Sequence, residues 1–169
     1  MFNFNEIWGY PTDTSFAIGV MADDVDGLLK LARLKGGRFG KYFSLMCADE
    51  KMLRDFSRVP DDLNVRNFFF ASPRTAILEP SNQLPKSRFW PDDGVAFRIS
   101  TIRDLALKID FPITATSANL TGQNPIFELS ELQRIFGDNI KVYNRISKLT
   151  QRDPSEIWDF TKNPPKQIR

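Results

Sequence analysis

A chain of 169 residues with 41% hydrophobic and 26% charged positions has the proportions of one globular domain, 1–169, rather than a disordered tail or a pair of domains. A domain of this length hides roughly 70% of the surface its unfolded chain exposes, so it needs no disulfide or metal staple. The single cysteine, Cys47, cannot form one internally and fits a reducing compartment. The sequence contains no histidine. That excludes Ser-His-Asp triads, imidazole metal ligands and imidazole proton shuttles, leaving carboxylates, Lys and Arg, hydroxyls, backbone amides or an oxygen-bound metal for any chemistry. No window approaches the ~20 apolar residues that span a bilayer, and MFNFNEIWGY has no basic targeting region. The expectation is a soluble, cytoplasmic protein with no membrane partner.

Ile7 to Tyr10 reads as a first strand ended by Pro11, with Pro-Thr-Asp-Thr forming the turn and Asp13 bonding its own backbone there. Asp24 to Leu34 has helical spacing, with Val25, Leu28, Leu29, Leu31 and Ala32 on one face, acids in its first turn and bases in its last; Gly36-Gly37 ends it. Phe43 to Cys47 reads as a buried strand and Asp49 to Phe56 as a helix capped by Asp49. Val65 to Ala71, with its NFFF run, suits either a strand or a packed helix.

Thr75 to Leu78 and Val95 to Ile99 read as strands on either side of a loop rich in Pro, Asn and Asp. Ser100 is expected to cap a helix from Thr101 to about Lys108. Ile113 to Ala115 is a strand running into the turn Thr116-Ser117-Ala118-Asn119. Ser130 and Gln133 have the spacing of a capping box for a helix reaching Phe136, and Lys141 to Tyr143 and Glu156 to Phe160 are the last strand candidates. This alternation predicts an α/β (α+β) fold: one open, twisted, mixed sheet flanked by helices.

Net charge is only +2, but the charges are segregated. Residues 27–41 carry Lys30, Arg33, Lys35, Arg38 and Lys41 without an acid, and bases again predominate after residue 141, so two basic segments are placed to converge on one anionic ligand. Polar turns at Pro11 to Thr14, Ser117 to Asn119 and Asp153 to Ser155 adjoin strands, where ligands collect in open sheets. The GxxxxGK[ST] phosphate loop is absent. In Val95-Ala96-Phe97-Arg98-Ile99, period 2 puts Arg98 on the face opposite Val95, Phe97 and Ile99, beside the small Ala96.

Taken in order, YPTDTSFAIGV (10–20), Lys35-x-x-Arg38-x-x-Lys41 running into FSLMCAD (43–49), SPRTAIL (72–78), VAFRIS (95–100), ITATSANLTG (113–122) and PSEIWD (154–159) resemble the successive motifs of the YrdC/Sua5/YciO family. The resemblance spans roughly residues 6–169. It implies a YrdC-like open sheet with a concave basic cavity and threonylcarbamoyl-AMP synthase chemistry. L-Threonine, bicarbonate and ATP with Mg²⁺ give L-threonylcarbamoyladenylate and pyrophosphate, for N6-threonylcarbamoyladenosine at position 37 of tRNA, and the product passes to a tRNA threonylcarbamoyltransferase. By position, the resemblance puts L-threonine on Thr14, Arg98, Ser117 and Ser155, and ATP on Lys35, Arg38, Lys41, Asn119 and Arg169. Lys35 and Arg38 serve catalysis in this reading, and no metal ligand is supplied by the protein. A guanidinium at Arg98 forks onto a carboxylate in a way lysine cannot.

The chain departs from the family pattern at several points. Arg38 comes one residue late after Lys35, Tyr42 stands where a proline is usual, and Met46 occupies a position that is histidine in one branch. Arg74 and Glu156 also replace the usual residues of their motifs, and FSLMCAD looks more like the YciO branch. The alternative expectation is a YciO-like module that binds tRNA or double-stranded RNA on the same fold without making the adenylate.

Overall fold

The computed structural model describes residues 2–3, 5–36, 42–120 and 122–169, and its framework is a mixed sheet. The strands are β1 (Trp8–Pro11), β2 (Phe16–Gly19), β3 (Ser44–Cys47), β4 (Ser57–Arg58), β5 (Arg74–Pro80), β6 (Val95–Ile99), β7 (Ile113–Ser117), β8 (Lys141–Val142), β9 (Glu156–Asp159) and β10 (Lys166–Gln167). Their spatial order is β10-β9-β5-β6-β3-β7-β2-β1-β8, with β4 pairing β5 to one side. The pairs β5·β9, β3·β6 and β1·β8 are parallel and the others antiparallel. The expected open mixed α/β sheet is therefore present. No helix among the described residues is long and apolar enough to cross a membrane.

Strands β2 and β3 are buried on both faces, which is why β3 reads as a short continuous apolar run without alternation. In β3, Leu45 and Cys47 join the larger core while Met46 points into a second core on the opposite face. The larger core is closed by α1 (Val25–Leu34), α2 (Glu50–Phe56), α3 (Val65–Ala71) and α5 (Leu129–Phe136), and the smaller by Leu105 of α4 (Arg103–Ala106) with Phe2, Tyr10 and Ile109. Cys47 is fully buried, and burial pushes its thiol pKa up.

At the margin of the second core the same face carries small side chains, Ala17 and Ala115, which also line a trough. The two strands that frame it are locked at Thr114. Its backbone N–H donates to Val20 O (2.8 Å), its Oγ1 accepts from Val20 N (3.0 Å), and its carbonyl accepts from Tyr10 Oη.

Several local expectations are corrected. Val25 is 67% exposed, so the buried face of α1 consists of Leu28, Leu31 and Ala32. Ser100 does not cap a long helix. Its hydroxyl engages Ile102, and α4 runs only from Arg103 to Ala106 without a side-chain cap. The Ser130/Gln133 capping box is absent, because the chain enters α5 directly from a strand-like bridge between Glu128 and Lys148 and Glu128 occupies the N-cap.

The ambiguous NFFF run is helical, started by Asn64, whose side chain accepts from Asn67 N at 3.0 Å. Asp24 and Asp49 cap α1 and α2 through Gly27 N and Met52 N, both at 2.8 Å. Strands β2, β4 and β10 were absent from the sequence reading.

At Gly19 the chain passes close against β7, since a Cβ there would sit 1.8 Å from Thr114 O. Gly19→Ala must therefore push a buried backbone carbonyl aside. We expect a loss of ~3 kcal/mol or more in urea unfolding, and a wild-type midpoint would refute this close contact.

Candidate functional site

Each wall of the trough follows from a local backbone requirement. In the turn between β1 and β2, Thr12 does the work of a turn residue. Its Oγ1 accepts from Thr14 N and Ser15 N (3.2 Å each) and donates to Ser15 O (2.7 Å), while Thr12 N donates to the same carbonyl at 3.0 Å. This frees Asp13, which was expected to bond its own backbone. Its carboxylate instead accepts from a terminal nitrogen of Arg98 on β6. The two side chains are 12% and 13% exposed, so the pair is largely withdrawn from water. Burial holds the Arg98 guanidinium below its usual range, Asp13 and Tyr10 favour its charge, and Arg169 opposes it.

Arg98 opens onto a cavity of about 290 Å³, with Asp13 behind its lining. Thr14, Arg98, Ser117, Ser155 and Arg169, assigned to the site from five separate segments, all line it. The structure adds Thr12, Tyr42, Thr75 and Arg152, which sequence reasoning did not place there.

Ser155 is buried and its hydroxyl pairs with that of Thr75 at 2.9 Å. Arg169 is held at the cavity because β10 adds to β9. Ile157 N donates to its carbonyl (2.9 Å), and its Nε donates to Ser155 O (3.1 Å).

Lys35 and Asn119 stand at the rim, beside rather than within the described lining. Lys35 Nζ donates to the carbonyls of Ser117 (2.7 Å) and Asn119, tying the end of α1 to the turn after β7. Asn119 Nδ2 donates to Gln123 O at 2.6 Å, and its Oδ1 is buried without a hydrogen-bond partner among the described residues. Arg38 and Lys41 lie outside the described residues.

Two departures in the motifs explain each other. Arg74 and Glu156 are register partners on β5 and β9, joined at 2.8 Å, and the Arg74 hydrogen bond draws the Glu156 carboxyl below its usual pKa.

The cavity is lined by the hydroxyls of Thr14, Ser117 and Ser155 and the guanidinium groups of Arg98, Arg152 and Arg169, with the small side chains Ala17 and Ala115 beneath. Donors of this kind are suited to fixing a carboxylate or phosphate. Among the described residues, no three His, Cys, Asp or Glu side chains converge as a metal site would require. The fold and site thus define an open-sheet α/β protein with a cavity lined by cationic and hydroxyl side chains.

The Sua5/YciO/YrdC family model, described as "Telomere recombination", matches residues 1–169, and the chain belongs to that family. The threonylcarbamoyl-AMP synthase of Vibrio campbellii is 27% identical over 161 residues, 91% of this chain and 87% of that protein. Among solved structures, P. abyssi Sua5 complexed with L-threonine has a TM-score of 0.82 at 24% identity, over 97% of this chain and 50% of that one. E. coli YciO has a TM-score of 0.80 at 23% identity, over 97% of this chain and 82% of that one. The chain thus spans about half of that Sua5 chain, and both structural likenesses bear on the fold.

Removing the Asp13 charge leaves Arg98 without its counter-ion inside the cavity wall. Because the cavity admits water, we expect Asp13→Asn to cost about 1–3 kcal/mol rather than the full cost of breaking a sealed pair. Added acetate should narrow the deficit by supplying a carboxylate. An unchanged Tm in thermal unfolding, with and without acetate, would show that the pair contributes nothing.

Proposed function

We propose that this chain is a threonylcarbamoyl-AMP synthase, converting L-threonine, bicarbonate and ATP into L-threonylcarbamoyladenylate, pyrophosphate and water. The observation that carries the reading is the grouping of Arg98, Thr14, Ser117, Ser155 and Arg169 on one cavity. It is supported by the name of the curated relatives, which match over nearly their whole length.

The chemistry suits a protein without histidine. The threonine amine and bicarbonate condense to a carbamate, whose oxygen is already nucleophilic. It attacks the α-phosphorus, the bond to the β-phosphate bridging oxygen breaks, and pyrophosphate leaves. The protein's task is to hold two anions together and to stabilise the charge spreading over phosphorus.

Arg98 is suited to the amino-acid carboxylate. One terminal nitrogen is committed to Asp13, which fixes the plane of the guanidinium and leaves its other donors for a second carboxylate. Hydroxyls of Thr14 and Ser117 stand beside it, and Arg169 and the rim groups Lys35 and Asn119 face the nucleotide in this reading. Mg²⁺ would arrive with the ATP substrate and would offset phosphate charge there. The only carboxylate described in the Arg98 wall, that of Asp13, is already paired. The reading places the protein in the cytoplasm, upstream of a tRNA threonylcarbamoyltransferase.

The direct test is threonine-dependent release of pyrophosphate from ATP in bicarbonate buffer. We expect release that requires all three substrates. Salt-sensitive RNA binding with no such release would point instead to a binding module. Arg98→Lys keeps the charge but loses the fork, so the KM for L-threonine should rise about tenfold or more while the KM for ATP stays within about twofold. Equal threonine dependence in variant and wild type would remove Arg98 from the amino-acid site.

A further inference from the structure

The lip of the cavity carries an aromatic ring that makes no ring contact among the described residues. Tyr42 lines the cavity yet is 62% exposed. Its neighbour Phe43 is buried and stacked on Phe89, with ring centroids 5.5 Å apart and planes inclined by 17°. The chain thus turns one ring into the core and the next out over the trough. Within the described residues Tyr42 makes no hydrogen bond and no ring contact. A tyrosine held at a cavity mouth with its ring uncovered keeps a large apolar surface in water, and that surface is removed only when something flat lies on it.

A second group at the same cavity is also uncommitted. Arg98 is paired with Asp13, and Arg169 donates to Ser155 O. Arg152, exposed on the lining, makes no ion pair within the described residues. An uncovered π face and an uncompensated guanidinium sharing one cavity suit a ligand with a flat ring at one end and a multiply charged anion at the other. That is the chemistry of a nucleoside polyphosphate.

We infer that Tyr42 is the platform on which the base of the nucleotide substrate stacks and that Arg152 receives its phosphates. The inference rests on the synthase reading for the identity of the nucleotide, and it assigns to substrate binding two residues that the motifs did not. Stacking on an aromatic face tolerates any planar base, so the platform supplies affinity and the polar groups of the trough supply position.

The test measures binding to the full chain by calorimetry, using α,β-methylene-ATP, which cannot be cleaved at the reacting bond, and inorganic tripolyphosphate, which has no base. Tyr42→Ala should weaken binding of the methylene analogue about tenfold and leave tripolyphosphate binding within about twofold, while Tyr42→Trp retains or improves analogue binding. Arg152→Gln should weaken both ligands. Because both positions are exposed, unchanged thermal unfolding is expected and verifies that the variants are folded.

If Tyr42→Ala binds the analogue like wild type, or loses both ligands equally, the stacking role is wrong. If Arg152→Gln retains tripolyphosphate binding, the phosphate role is wrong. A wild-type protein that binds the analogue with the expected Tyr42 dependence but releases no pyrophosphate with threonine would overturn the synthase reading and leave the platform standing. A wild type that binds tripolyphosphate but not the analogue would overturn both.

Discussion

Everything at the cavity depends on the junction between β2 and β7 at Thr114. That residue is fully buried, and its backbone N–H, its carbonyl and its hydroxyl are all engaged by Val20 or Tyr10. A buried polar group left unpaired costs about 1–3 kcal/mol, so the pairing admits little sliding. Gly19 lets the two backbones meet at a separation no side chain tolerates. With the strands fixed, the turn at 12–15 and the turn following Ser117 open at the same end of the sheet. Thr14 and Ser117 line one cavity there although about a hundred residues of chain separate them.

The charge pattern of the trough follows from what that frame places opposite Arg98. A lone guanidinium on the inner face of a sheet would be expensive to desolvate. Asp13 offsets part of that cost and turns the arginine into a polar fork with reduced net charge. The positive field is then supplied from the periphery, by Arg152 and Arg169, where solvation is cheap. This division puts oriented donors inside the trough and the more solvated charges at its edge.

How far the sequence disclosed this can be traced residue by residue. Arg98 was legible because a single charge in an apolar alternation names its own face, and the cavity bears this out. Asp49 was legible as a cap because capping is decided within three residues. Asp13 was not, because its partner is 85 positions away and the local alternative, a self-bonded turn, satisfies the same residue type; Thr12 took that role. The expected caps at Ser100 and Ser130 failed for a related reason. At Ser130 the incoming backbone was already committed to a bridge, and tertiary pairing overrode a local signal worth about 1 kcal/mol. Strand β10, Lys166–Gln167, has no strand composition at all. It exists because the edge of β9 offers unpaired backbone groups, and it brings Arg169 to the site. The departures at Arg74 and Glu156 looked independent in one dimension and are neighbours in three.

Cys47, in the middle strand of the sheet, has a consequence for following the molecule in solution. Its thiol is enclosed in the core and held in the protonated form, so alkylating reagents, which require an accessible thiolate, have no target while the sheet is closed. Because the sequence contains no second thiol, incorporation of a single label per chain counts the moments when β3 parts from β6 or β7. Slow labelling with a maleimide would then read the opening free energy of the strands that carry Arg98 and Ser117, and ligand-induced protection would show how firmly an occupied trough clamps them.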